Sequence, residues 1–224
     1  MIKDLLDFVL HINEHLDKMV VDYGTMIYGI LFLIIFVETG VVIMPFLPGD
    51  SLLFAAGALC ARTAGNADAA LQLFPMIGLL SIAAILGDNS NYAIGRFFGK
   101  WAVNLKIGKR PLVKPAYLEK THEFFEKYGT KAIIMARFVP IVRTFTPFVA
   151  GAGNMQYRKK FLPFDVAGGI LWISSMSVAG YFLGGIPFVR DHFEAVVIAI
   201  IILSVLPMVF GYIKAVRDKK KKLS

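Results

Sequence analysis

One cysteine in 224 residues, Cys60, leaves the chain with no intramolecular disulfide and no cysteine-based metal cage. It reads as a small buried hydrophobe. Histidines number four. His11 and His15 stand one helical turn apart and could ligate a metal, but no third ligand lies nearby, so solvated surface histidines are the better reading. His122 and His192 fall at span ends, facing solvent or headgroups. No Ser-His-Asp order, HExxH or P-loop pattern occurs. A membrane phosphatase would also want a histidine nucleophile beside its arginines, and none is there. The protein is therefore not expected to be an enzyme, and no cofactor or metal is called for. Charge is scarce as well, at 18% of residues against about 25% in a soluble domain.

Apolar residues fill the space that charge leaves. They make up 57% of the chain, with a mean hydropathy of +0.64. The length suits one domain of about four to six membrane segments of about 20 residues each. Net charge is +8, but the basic residues cluster between apolar runs and at the C-terminus. That is the pattern of cytoplasmic loops, and it argues against a nucleic-acid partner. The first long apolar run, after Tyr23, exceeds a signal h-region and lacks a small-residue cleavage site, so no cleaved leader is expected.

Four spanning segments are predicted, at about 23–44, 70–98, 161–186 and 193–214. Residues 1–22 carry Leu5, Leu6, Val9, Ile12, Leu16, Met19 and Val20 at helical spacing, with acids between them. They form an amphipathic helix that lies on the membrane or against the protein's own cytoplasmic face. The transmembrane domain covers 23–215, and a basic tail covers 216–224. Two further apolar segments, about 45–62 and 132–155, are broken by Pro45, Pro48 and Gly49, and by Pro140, Pro147 and Gly151 to Gly153. Irregular backbone at membrane depth survives only inside protein or beside a water-filled cavity. Both are accordingly read as re-entrant helical hairpins. The lysine-rich loop 100–131, Arg158 to Lys160 and the C-terminal tail then all lie inside, with both termini cytoplasmic.

The hairpins resemble each other. PFLPGDSLLFAAGA (Pro45 to Ala58) parallels PIVRTFTPFVAGAG (Pro140 to Gly153), and GRFFG (Gly95 to Gly99) parallels GYFLG (Gly180 to Gly184). With the charge-derived topology the two units open from opposite sides, as inverted repeats do in secondary transporters. The expected fold is an all-α integral membrane protein of four spans and two opposed hairpins.

Four charges interrupt these apolar segments: Glu38, Asp50, Arg137 and Arg143. Unpaired at mid-bilayer they would cost about 2.5–3.5 kcal/mol each, so a polar or ionic cargo is the usual reason to keep them. If the hairpin tips meet, the acids face the arginines across one cavity. Arginine offers a planar fork suited to phosphate, and the two arginines would converge on one anionic headgroup. Glu38 and Asp50 would couple protons, by switching between arginine-paired and protonated forms. The plainer alternative is structural ion pairing. In GDNSNYAIGR (Gly87 to Arg96), Asp88, Asn91 and Arg96 are candidate cavity-lining groups, while the small residues suit close helix packing. Trp172 and Tyr181 read as packing or interface anchors.

Taken in order, E-x-G at Glu38 and Gly40, P-x-x-P-G-D at Pro45 to Asp50, G-D-x-x-N-Y-x-I-G-R at Gly87 to Arg96 and R-F-V-P-x-V-R-T-x-x-P-F-V-A-G at Arg137 to Gly151 resemble the bacterial DedA family. The likeness extends through F-x-x-x-D-V-x-G-x-x-x-W at Phe161 to Trp172 and covers roughly 5–215. The wider superfamily includes eukaryotic lipid scramblases. The resemblance implies a protein of the cytoplasmic membrane that returns undecaprenyl phosphate across the bilayer at the expense of the proton motive force. It also implies that Glu38 and Asp50 are the functional acids and Arg137 and Arg143 the functional arginines. Asp165 departs from the family pattern, which leads one to expect asparagine. The expected partners are an anionic isoprenoid lipid phosphate, membrane lipids and protons, with homo-oligomers left open. A proton/cation antiporter and a non-transporting scaffold for envelope assembly are the alternatives.

Overall fold

The computed structural model describes residues 22–41, 49–62, 70–104, 106–107, 110–111 and 129–184, with scattered positions between 186 and 199. The expected amphipathic N-terminal helix, the first arm of the first hairpin, most of the basic loop, most of the fourth span and the basic tail lie outside the described residues.

A 3-10 turn at Gly24–Met26 leads into α1, Ile27–Gly40. Helix α2 is Gly49–Arg62 and α3 is Leu73–Asn104. A minimal antiparallel pairing of Lys106–Ile107 with Arg110–Pro111 interrupts the expected all-helical pattern in the basic loop. Then come α4 at Lys131–Ala136, α5 at Pro140–Ala152, a π-helical turn at Tyr157–Phe161, and α6 at Leu162–Gly184. Helix α3 runs past the expected end at residue 98, because no Pro follows Gly99 to stop it.

Among the described residues, two helical stretches are long and apolar enough to cross a membrane, Leu73–Gly99 with 27 residues and Tyr157–Gly184 with 28. At about 1.5 Å per residue each reaches about 40 Å, beyond the roughly 30 Å hydrocarbon layer. By the same measure α2, with 14 residues, and α5, with 13, reach only about 20 Å. They are too short to cross. Ser51 to Cys60 of α2 are buried without interruption, so protein surrounds this helix on every side.

The outer surface is greasy and the interior small or polar. Phe74, Phe97, Ile170, Leu171 and Phe182 are exposed. On α6 the buried stripe is Asp165, Gly168, Gly169, Trp172, Ile173, Ser177, Gly180 and Gly184. That reversal suits a helix whose outer face meets lipid, where small residues let backbones approach closely.

Helix directions follow from those approaches. A Cβ on Gly180 would strike the carbonyl oxygen of Phe54, and one on Gly184 would strike Ala58, so α2 runs alongside α6 in the same direction. Likewise a Cβ on Gly95 would strike the Phe148 carbonyl and one on Gly99 would strike Ala152, so α5 runs with α3. Gly57 against Ser177 and Gly151 against Tyr92 complete two sets of contacts with identical spacing. Between the long helices the sense reverses. Phe161 stacks on Tyr92 with ring centroids 4.5 Å apart, while Gly169, two turns further along α6, meets Ile85, two turns back along α3. Helices α2 and α5 therefore point in opposite directions.

Candidate functional site

The N-terminal turns of the two opposed short helices carry Asp50 and Arg143, and there they touch. Arg143, in the first turn of α5, donates from Nη1 to Asp50 Oδ1 at 2.6 Å and from Nη2 to Glu38 Oε1. Asp50 sits in the first turn of α2, where an anion complements the helix dipole. Glu38 sits near the C-terminal end of α1, and its carboxylate fills the space over Gly49, so a Cβ there would have to displace it. Trp172 of α6 closes the group. Its Nε1 donates to Asp50 Oδ1 at 2.8 Å, and its ring lies 4.4 Å from Arg143 Cζ. The guanidinium is thus held by two carboxylates and the face of a tryptophan, the ring type that attracts cations best.

Arg137 is held elsewhere. It lies in the break between α4 and α5, where Val139 is extended ahead of Pro140. Its Nη2 meets Asp88 Oδ2 of α3 and, at 2.6 Å, Asp165 Oδ1 of α6. The two arginines share no carboxylate among the described residues. The single cavity of two acids and two arginines expected from the sequence is replaced by two triads, each of one guanidinium and two carboxyl groups.

Burial separates them further. Side-chain exposure is 3%, 1% and 0% for Arg137, Asp88 and Asp165, but 14% for Asp50. The Arg143 triad has a route to the outside through Asp50. The Arg137 triad is sealed.

Asn91 joins the Arg143 triad to its scaffold. It is fully buried, and its Nδ2 donates to the Thr39 carbonyl at 3.1 Å and to the Thr144 carbonyl at 2.8 Å. Those carbonyls belong to the residues that follow Glu38 and Arg143. The predicted cavity-lining asparagine thus ties α3 to both neighbouring helices. Arg96 belongs to neither triad. It is exposed and donates to Asn154 Oδ1, at the junction of α5 with the π-helical turn.

Two participants escaped the reading of the sequence. Asp165 stands out there only as a departure from a pattern, and Trp172 only as a packing residue. Their common signal is position: seven residues apart on one helix, they share a face with Gly168 and Gly169.

Charged triads held inside a bundle with a lipid-compatible exterior define a helical membrane protein with an internal ionic centre. The chain belongs to the DedA family: the VTT domain matches residues 47–182. It is 50% identical over 219 residues to Protein DedA of Escherichia coli, covering 96% of this chain and 94% of that protein. It is 41% identical over 198 residues to an uncharacterized membrane protein of Mycobacterium tuberculosis, covering 88% and 84%. With the inner membrane protein YghB of Salmonella typhimurium it shares 35% over 207 residues, covering 92% and 86%. No solved structure matches.

Proposed function

We propose that the protein is a proton-motive-force-dependent lipid transporter of the bacterial inner membrane, a flippase that recycles a polyprenyl phosphate carrier, undecaprenyl phosphate, for envelope synthesis. Both termini face the cytoplasm, and α2 and α5 are the inner arms of two re-entrant hairpins related as inverted repeats. Opposed helix directions and the twice-used packing of Phe-x-x-Gly-Ala against a glycine-bearing long helix support that architecture. Transporter sites form where such broken helices meet.

The observation that carries the reading is the fork of Arg143 between Asp50 and Glu38, at the one triad with access to the outside. With both acids ionised the group bears one net negative charge and repels a phosphate. Protons on the carboxyls release the guanidinium, whose two Nη atoms then suit two phosphate oxygens. Anion capture and proton uptake are thereby the same event. The isoprenoid tail stays in lipid while the headgroup passes between the hairpins.

The test is translocation of labelled polyprenyl phosphate in proteoliposomes, with and without a pH gradient. Gradient-accelerated movement that is lost in Arg143→Gln is expected. Movement indifferent to the gradient in folded protein overturns the reading.

One observation favours a second reading, proton/cation antiport. Each arginine is outnumbered by carboxylates, so neither site presents an unneutralised guanidinium to a cation. The same vesicles loaded with a sodium or potassium gradient separate the two: cation-driven proton flux without lipid movement would favour the antiporter.

A further inference from the structure

The sealed triad has a chemistry that the lipid-transport reading does not use. Asp88 and Asp165 approach one nitrogen, Nη2 of Arg137, from two different helices. All three side chains are at least 97% buried. Among the described residues, Asp165 Oδ2 and Arg137 Nη1 are buried without a hydrogen-bond partner. One guanidinium neutralises one carboxylate; the second is left as an uncompensated charge away from water, which a site escapes by taking up a proton. Two carboxyl groups crowded onto one donor atom also resist double ionisation. The charged groups acting on this cluster are Arg137 from the α4–α5 break, Asp88 from α3, Asp165 from α6 and, from α5, Arg143.

We propose that Arg137, Asp88 and Asp165 form a proton-holding site, distinct from the Arg143 triad, that keeps one proton shared between the two aspartates at neutral pH. The balance is simple: guanidinium +1, one carboxylate −1 and one neutral carboxylic acid leave no net charge. The unpartnered Asp165 Oδ2 is a free carboxyl oxygen at which the proton can sit. The protein then has two separate places to carry protons, one open and one closed. The closed one also fastens α3, the α4–α5 break and α6 at a single point, so its protonation governs how firmly the second short helix is held.

The proposal is independent of the cargo, because a resident proton is visible without transport. Infrared spectra of the purified protein in lipid nanodiscs at pH 7, in H2O and in D2O, report the carbonyl stretch of protonated carboxylic acids. Most other acidic groups are ionised at that pH. Glu38→Gln/Asp50→Asn removes the open triad's carboxyls and should leave a deuterium-sensitive band. Adding Asp165→Asn, whose amide oxygen still accepts from Arg137, removes the excess charge and should abolish the band. Asp88→Asn should do the same and serves if the first variant does not fold. Absence of the band from Glu38→Gln/Asp50→Asn, or its survival in both triple variants, overturns the proposal. If the Glu38/Asp50 pair cannot be replaced without unfolding, wild type decides, since a spectrum with no protonated carboxyl at pH 7 excludes the resident proton. Failure of lipid translocation would leave these results unaffected.

Discussion

Trp172 donates its indole N–H to Asp50 at 2.8 Å while its ring supports Arg143 from below, so one side chain fixes both members of an ion pair. A charge-assisted hydrogen bond of this kind is worth about 1.5–3 kcal/mol. Trp172→Phe keeps an aromatic face under the guanidinium and loses the donor; Trp172→Leu loses both. Transport should fall about tenfold in the first and further in the second, the added loss matching about 0.5–2 kcal/mol of cation–π attraction. Equal loss in both would show that the ring face contributes nothing. The chain has only Trp101 and Trp172. In Trp101→Phe, emission therefore reports on this site alone and should shift when a short-chain polyprenyl phosphate is added.

Arg143 distinguishes a working site from a structural pair. Removing it as Arg143→Ala strands Glu38, 1% exposed, without its cation. Breaking a buried pair this way costs about 3–5 kcal/mol, which thermal unfolding in detergent should register. Arg143→Ala/Glu38→Gln removes the stranded charge and should recover most of that stability. If the pair is only a strut, function should return with the fold; under the phosphate reading, translocation stays absent in the double variant.

Much of this architecture is legible in the sequence, and the limits have a physical origin. Long apolar runs announce α3 and α6, and prolines announce the starts of α2 and α5, because both signals are local. The matching of Phe54–Ala58 with Phe148–Ala152 is visible as text, and the structure gives it a reason: each Phe carbonyl lies where a glycine of a long helix omits its Cβ. Which acid meets which arginine is not legible. Glu38 and Arg143 are 105 residues apart, and their meeting depends on helix directions and rotations that no local pattern encodes. Arg137 and Arg143 look equivalent in the sequence, yet the extended residue Val139 between them turns one toward α3 and α6 and leaves the other facing α1 and α2.

Asn91 should behave as a strut with functional reach. Asn91→Ala leaves the Thr39 and Thr144 carbonyls without this donor, at about 1–3 kcal/mol for each one left unsatisfied. Unfolding temperature should fall clearly. Because the lost bonds adjoin Glu38 and Arg143, the surviving folded protein should also show weaker phosphate binding. Asn91→Asp is harsher, since it adds a further buried carboxyl beside two acid-rich triads. A stable, fully active Asn91→Ala would show that these carbonyls find other donors.

The repeated helix contacts predict paired effects from paired substitutions. Gly95→Ala would drive a methyl into the Phe148 carbonyl, and Gly180→Ala into the Phe54 carbonyl. Neither backbone atom moves without displacing a whole short helix, so each change should cost about 1–3 kcal/mol, the usual range for overpacking. The two losses should be alike, because the two contacts are built alike. Gly78→Ala on α3 is the control: no atom lies within 4 Å of its new methyl, and helix propensity favours alanine by about 1 kcal/mol. Thermal melts of the three variants in one detergent provide the measurement. Displacing α2 or α5 also moves Asp50 away from Arg143, so both repeat variants should lose transport beyond their loss of folded protein. A tolerated Gly180→Ala beside a damaging Gly95→Ala would mean that the second short helix is clamped and the first has room to shift.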